Sequence, residues 1–346
     1  MIRLGFVGCG SLLTSKFTVA AQYKDLCECV ATCDIIKERA ENAANIIGAN
    51  FFTTDYKELI GYVDAVYIAL PHNLHYEVGR FFVDNNVHVL MEKPLCNTEE
   101  ECLALVDAAE KKGVTLMCEY PVRFLQGIRK MKDLLDTGEY GEIFQMSIWT
   151  EQFTDQTYEN HHASNVKWVG DIETAGGGQL FSHGCHYIDL LLWFLGKPVS
   201  GVHMSTQKGT PWLDEGFEGT SNVVIKFEDG VMGYHFGTWG ARGTKQSYSW
   251  QIHTDKGLFE YKYEKLYFMR NLDPYNTEEK EILWDFDDRV SIEEEPIKHF
   301  LICVTEHKKP LTDGKSAIQS LRVIWRLYEA EKNNEIADLR GLGLDE

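Results

Sequence analysis

Several things are scarce in this chain, and each scarcity excludes something. Long apolar runs are missing. The longest, YIDLLLWFLG at 187–196, carries Asp189 and falls short of the ~20 apolar residues a helix needs to cross a bilayer. A charged leader followed by an apolar stretch is missing too. The opening MIRLGFVGCG enters a strand-like run directly, so no secretory signal is expected and the cytoplasm is the expected compartment. Paired CxxC clusters do not occur. Nine scattered cysteines, an odd number, read as reduced thiols. Cys27, Cys29 and Cys33 cluster within a strand-like segment and read as small packing residues, so no metal site is expected. Basic residues are outnumbered, 34 Lys and Arg against 53 Asp and Glu, giving a net charge of -19. Such a surface repels phosphate, so neither nucleic acid nor an anionic membrane is an expected partner. Repeats and low-complexity blocks are also absent, and 346 residues then make two domains the natural division.

The first third alternates short apolar runs with helical patterns. Strands are expected at IRLGFVG, CECVATC, DAVYIAL, VHVLME and VTLMCE, with helices at KERAENAANII, TDYKELIG, HYEVGRFFVDN and TEEECLALVDAAEKKG. Thr98 followed by Glu101 reads as a capping box. Near-continuous apolar strands separated by helices indicate a doubly wound parallel sheet. After about residue 122 the texture changes. One helix, LQGIRKMKDLLDTG, precedes alternating β-rich stretches: EIFQMSIWTEQF, SNVVIKFEDGVMGYHFGTW and SYSWQIHTDKGLFEYKYEKLYF. The D-G and K-G pairs within them are hairpin signals. Two helices are expected near 294–307 and 316–332, and the final DLRGLGLDE reads as loose. The expectation is an α/β chain. Residues 1–122 form a dinucleotide-binding domain, and 123–346 form a second α/β domain with a large open, mostly antiparallel sheet.

The first strand runs into Gly8-x-Gly10 before a helix. That order suits a phosphate-binding turn: the first glycine allows the turn, and the second lets backbone approach a pyrophosphate at the helix N-terminus. The third glycine position holds Leu13, which loosens the match. Asp34 ends the second strand, where a carboxylate accepts ribose hydroxyls and repels a 2′-phosphate. Ile35 and Ile36 follow, where an NADP site would offer Arg, so NAD is favoured over NADP. A helix-capping role for Asp34 is equally compatible. Pro71-His72-Asn73-Leu74-His75 follows the DAVYIAL strand, at a strand end where open α/β sheets bind ligands, although Asn73 also reads as a helix cap. Glu92-Lys93-Pro94 ends the VHVLM strand and places a lysine at the same edge.

GFVGCG, CD, ALPHNLH and MEKPL at this spacing resemble the Gfo/Idh/MocA family of oxidoreductases. CEYPVRF and the segment from Trp168 through GGGQLFSHGCHYID extend the resemblance over essentially the whole chain. The resemblance implies a Rossmann domain, NAD(P), and oxidation or reduction of a hydroxyl or ketone on a sugar, glycoside or polyol. It implies cofactor contacts from Gly8, Cys9, Gly10, Ser11, Leu12, Asp34, Leu70, Pro71, Asn73, His75, Glu92, Lys93 and Arg123. It implies Lys93 as the donor to the reacting oxygen, with Pro94 in a cis bond, and His186 as general acid/base. Substrate contacts are expected from Tyr120, His162, Trp168, Ser182 and His183. Ser182 stands where the family often has Asp. At helical spacing Ser182, His186 and Asp189 share one face. Trp212, Trp239 and Tyr248 read as sheet packing. The outer face of the open sheet is expected to pair copies of the chain into a dimer or tetramer. Two further readings stay open: an NAD-assisted glycosidase with no net redox change, and a silent NAD-binding sensor.

Overall fold

The computed structural model describes residues 1–154, 167–243, 247–270, 280–285 and 294–344. His161 and His162 lie outside the described residues. The chain divides into two compact units. One is Met1–Pro121, Thr157–Gly176 and Ser291–Ile318; the other is Val122–Gln156, Gly177–Val290 and Gln319–Glu346. The first boundary falls where the texture of the sequence changes. A single cut does not describe the rest, because two later segments return to the first unit.

In the first unit, β1 (Ile2–Val7), β2 (Cys27–Cys33), β3 (Phe51–Thr53), β4 (Ala65–Ile68), β5 (His88–Met91) and β6 (Leu116–Cys118) form one sheet, in the order β3-β2-β1-β4-β5-β6. All its pairings are parallel. Their side chains are apolar on both faces because helices cover both; β4 is buried at every position. The crossovers include α1 (Ser11–Ala20), α2 (Lys37–Ile47), α3 (His75–Asp84) and α4 (Glu99–Lys112). The Thr98 hydroxyl accepts from Glu101 N at 3.2 Å, and the Glu101 carboxylate accepts from Thr98 N at 3.3 Å, completing the capping box. The strand order reverses between β1 and β4, the point at which open α/β sheets bind ligands at the carboxyl ends of their strands. One expected helix is replaced. Within TDYKELIG only Tyr56–Leu59 is helical, as a short 3₁₀ turn, because Asp55 accepts from Lys57 N and starts a local turn. The Phe51–Thr53 strand before it was not anticipated.

Among the described residues, the second unit holds α5 (Gln126–Asp136) and nine strands: β7 (Ile143–Glu151), β8 (Pro198–Thr206), β9 (Thr220–Phe227), β10 (Met232–Thr238), β11 (Ser247–Thr254), β12 (Gly257–Lys262), β13 (Lys265–Arg270), β14 (Glu281–Asp285) and β15 (Ala337–Asp338). Their order is β14-β13-β12-β11-β7-β10-β9-β8-β15. Among the described strands only the central β7–β10 pairing is parallel. Gly127 of α5 lies flat on the Tyr261 and Trp284 rings, where any Cβ would clash. Helix Cys185–Leu195 packs on β10, where Gly233 leaves room for Leu191 and Leu195. On the other face Phe144, Trp149 and Met204 are exposed, and Trp149 packs against Phe236 and Tyr234. The final segment is ordered where looseness was expected. Ala337 and Asp338 pair with β8, and Leu339 is fully buried.

Candidate active site

The carboxyl ends of β1, β4 and β5 gather three sequence motifs within the first unit. Gly8 follows β1 with φ +88°, and a Cβ there would meet the Ala69 carbonyl oxygen at 2.0 Å. Only glycine lets the loop after β1 lie against the end of β4. Gly10 caps α1 with extended backbone and, among the described residues, has nothing within 4 Å of a would-be Cβ. The space above the helix N-terminus is therefore open to a phosphate, and a side chain at Gly10 would fill it. Asp34 is buried. Its Oδ2 accepts from Cys9 N at 2.8 Å and its Oδ1 from Ile36 N at 2.8 Å. The carboxylate thus ties the glycine loop to the end of β2, and its charge stands beside that loop. Burial, with Asp34 next, pushes the Cys9 thiol up, so Cys9 stays a neutral thiol.

The loop after β4 is built around two histidines. His72 is buried, with Nδ1 2.8 Å from the Ala175 carbonyl and its ring edge-on to Trp168 at 4.7 Å. Burial, then His75 and Lys93, hold its imidazole well below the usual range. His75 is fully buried, with ring nitrogens 2.8 Å from the Pro94 carbonyl and 3.0 Å from the Leu70 carbonyl. The neutral ring has one N–H to donate, to one carbonyl or the other, and it lies wedged between the loop after β4 and the loop after β5. Asn73 is exposed, and α3 has no side-chain cap, so the capping reading of Asn73 does not hold.

Glu92 and Lys93 end β5, and the Lys93–Pro94 peptide is cis. Glu92 Oε2 accepts from Lys93 N at 3.3 Å. Its Oε1 accepts from Tyr67 Oη at 2.9 Å and from Lys16 Nζ at 3.0 Å. Lys16 Nζ also donates to Glu119 Oε1 at 2.7 Å and to Tyr67 Oη at 2.5 Å. Burial works against the Glu92 charge, but Lys16 and Lys93 outweigh it and hold the carboxyl below its ordinary value. Lys16 went unnoticed in the sequence. The available signal was a lysine adjoining and one helical turn from residues that face the sheet, Phe17 and Ala20.

In the second unit the GGGQLFSHGCHYID segment opens on a π-helical turn, Leu180–Gly184, and continues as helix Cys185–Leu195. Glu218 holds the turn: its backbone carbonyl accepts from Gln179 N at 2.8 Å and its Oε1 from Leu180 N at 2.8 Å. Tyr328 Oη donates to the same Oε1 at 2.7 Å. Burial raises the Glu218 carboxyl above its usual value, against the pull of these donors. Neither Glu218 nor Tyr328 stood out in the sequence, because neither belongs to a local motif. The wide turn changes which residues share a face. Ser182 donates to the Gly177 carbonyl at 3.1 Å. His183 lies between Gln179 Nε2 at 3.5 Å and Tyr187 Oη at 3.4 Å. His186 is buried, its ring 6.1 Å from that of His183. Asp189 turns to Arg123, which donates from Nε and Nη2 at 2.5 Å each.

Three expected site residues, Arg123, Tyr120 and His75, are buried. Arg123, expected at the cofactor, is 2% exposed and committed to Asp189. Tyr120, expected at the substrate, is fully buried. His75, also expected at the cofactor, is taken up inside the loops. Tyr248 accepts from Gln152 and stacks with Trp250, while Trp212 stacks on Trp239 and donates to the Thr154 carbonyl. Among the described residues no group of three or more His, Cys, Asp or Glu could hold a metal ion, and no helix is long and apolar enough to cross a membrane.

A parallel sheet with this strand order, a glycine cradle over a helix N-terminus and an acidic end to β2 define a dinucleotide-binding domain of the Rossmann type. Residues 2–120 match the model of the oxidoreductase family with an NAD-binding Rossmann fold, and residues 128–260 match the GFO/IDH/MocA C-terminal domain. The chain belongs to the Gfo/Idh/MocA family. It is 25% identical to a D-xylose 1-dehydrogenase (NADP(+)) of Haloferax volcanii, over 98% of this chain and 100% of that one. It is 27% identical to levoglucosan dehydrogenase of Pseudarthrobacter phenanthrenivorans, over 66% and 63%. Among solved structures, levoglucosan dehydrogenase with NADH and levoglucosan superposes with a TM-score of 0.86 at 19% identity, over 99% and 100% of the chains. The WlbA dehydrogenase of Bordetella pertussis with NADH and UDP-GlcNAcA gives 0.82 at 24%, over 99% of each.

Proposed function

We propose that the chain is an NAD-dependent dehydrogenase acting on a secondary hydroxyl of a sugar, glycoside or polyol. The observation that carries this reading is Lys93. It stands at the end of β5, at the strand edge that also holds the glycine loop, with Glu92 bonded to its backbone amide. Bound NAD supplies a hydride acceptor. Gly8, Gly10 and Asp34 hold that nucleotide, and the Asp34 carboxylate disfavours a 2′-phosphate, which favours NAD over NADP. Lys93 donates to the reacting oxygen and stabilises negative charge on it. His186 takes the hydroxyl proton as the carbon–hydrogen bond breaks and the carbonyl forms; in reduction it returns that proton. His183 and Trp168 are proposed substrate contacts, and Ser182, lacking the charge of an aspartate, contributes at most a hydrogen bond. The names of the similar dehydrogenases support the sugar class. The exposed apolar face of the second sheet is proposed to pair with a second copy of the chain.

Lys93→Ala tests the assignment. NADH affinity, followed by nicotinamide fluorescence, should stay within a few-fold, while turnover falls by roughly 10²–10³-fold, as for loss of one donor to a developing oxyanion. Turnover surviving within a few-fold would remove Lys93 from the mechanism.

A further inference from the structure

We propose that Lys16 is a positioning residue for Lys93, holding Glu92 as a carboxylate against the Lys93 backbone and setting the charge around the Lys93 amine. The proposal rests on the reading of Lys93 as the catalytic donor. Its basis is a closed hydrogen-bond set inside the first unit. An ammonium has three N–H groups, and Lys16 spends one each on Tyr67, Glu92 and Glu119. All four side chains are buried. Tyr67 in turn donates to the Glu92 oxygen that Lys16 contacts, which leaves the other oxygen for the Lys93 amide. Glu92 is therefore a two-ended bridge, with Lys16 on one oxygen and Lys93 on the other.

The charges close as well. Lys16 and Lys93 offer two positive charges against Glu92 and Glu119. Among the described residues, the other titratable groups facing this set are Tyr67 from β4 and the buried, neutral His72 and His75 from the loop after β4. Without Lys16, the two buried carboxylates lose the cation that both contact. In the pH range where an amine deprotonates, both are ionised and hold the Lys93 proton more tightly. Without the Glu119 charge the reverse applies, because Lys16 then answers Glu92 alone.

The test is the pH dependence of amine acylation at Lys93, mapped by peptide mass spectrometry on the full chain without substrate. Lys16→Met should move the Lys93 labelling midpoint up by about one pH unit, and Glu119→Gln should move it down by a similar amount, as expected for one unit charge nearby. Lys16→Arg, which keeps the charge, should stay near the unsubstituted chain. In an active enzyme the basic limb of the kcat/KM profile should follow the same two directions. General loosening of the fold would push both substitutions the same way, so shifts of one sign, or an unmoved midpoint, overturn the proposal. Should Lys16→Met fail to fold, Glu119→Gln decides with the charge-keeping Glu119→Asp as its control: a downward shift in the Gln variant alone supports the proposal, and an unchanged or upward midpoint, or an equal shift in both variants, overturns it. The labelling needs no turnover. A chain inactive on every sugar would sink the dehydrogenase reading while this result still stood or fell by itself.

Discussion

At the residue scale, two glycines of one loop do different work, and they can be separated. Gly8 is conformational. Its φ of +88° and the Ala69 carbonyl 2.0 Å from a would-be Cβ leave no room for alanine. Gly8→Ala should therefore destabilise the chain by about 1–3 kcal/mol from backbone strain alone, read as a lowered denaturant midpoint. Gly10 is spatial. Its backbone suits any residue, and nothing lies near its missing Cβ. Gly10→Ala should keep the midpoint and weaken NADH binding at least tenfold. Equal stability losses in both variants would contradict this division. Arg123 and Asp189 show another residue-scale distinction. Their buried pair tempts a catalytic reading, yet each satisfies the other, and breaking such a pair costs stability through the charge left behind.

At the element scale, legibility followed locality. The parallel strands, α4 with its capping box and the D-G hairpin between β9 and β10 could all be read from neighbouring residues; Asp229 and Gly230 do adopt positive φ there. The Tyr263–Glu264 turn between β12 and β13 also has positive φ at both positions, but carries none of the residues that advertise such a turn. Strand pairing fixes it instead. Strand β15 was illegible because two residues become a strand only when β8 lies beside them. The π-helical turn at Leu180–Gly184 was hidden for a similar reason. Ordinary helical spacing put Ser182, His186 and Asp189 on one face. The wider turn, tied down by Glu218 from a distant segment, contains Ser182, so ordinary spacing no longer relates it to His186 and Asp189, which stay in the regular helix. At the site, the glycine loop and Lys93 were visible as motifs. Glu119 stood within the CEYPVRF motif, but its ion pair with Lys16 spans more than a hundred residues. Glu218 and Tyr328 act by reaching across the sequence, and no local pattern marks them.

For the whole molecule, the acid side of the stability curve should be set by histidines buried in neutral form. Burial holds His235 at about 3, and holds His72 and His75 below the ordinary value of 6.5. These depressed values contribute stability that is fully present above about pH 6.5. It is lost as pH falls, because the unfolded chain binds protons that the folded chain refuses. From His235 alone the loss by pH 5 is roughly 2 kcal/mol. Urea midpoints should thus drop steadily between pH 7 and 5, and His235→Gln should flatten the slope; a midpoint constant over that range would contradict the burial argument. The central claim concerns hydride transfer, and its most direct test is absorbance at the reduced-nicotinamide band. The purified chain would be mixed with NAD and a panel of pentoses, hexoses, anhydrosugars, inositols and aryl glycosides. The account requires the band to grow with one sugar or polyol class. Release of an aryl leaving group with no growth of the band, or no change with any member of the panel, would contradict it.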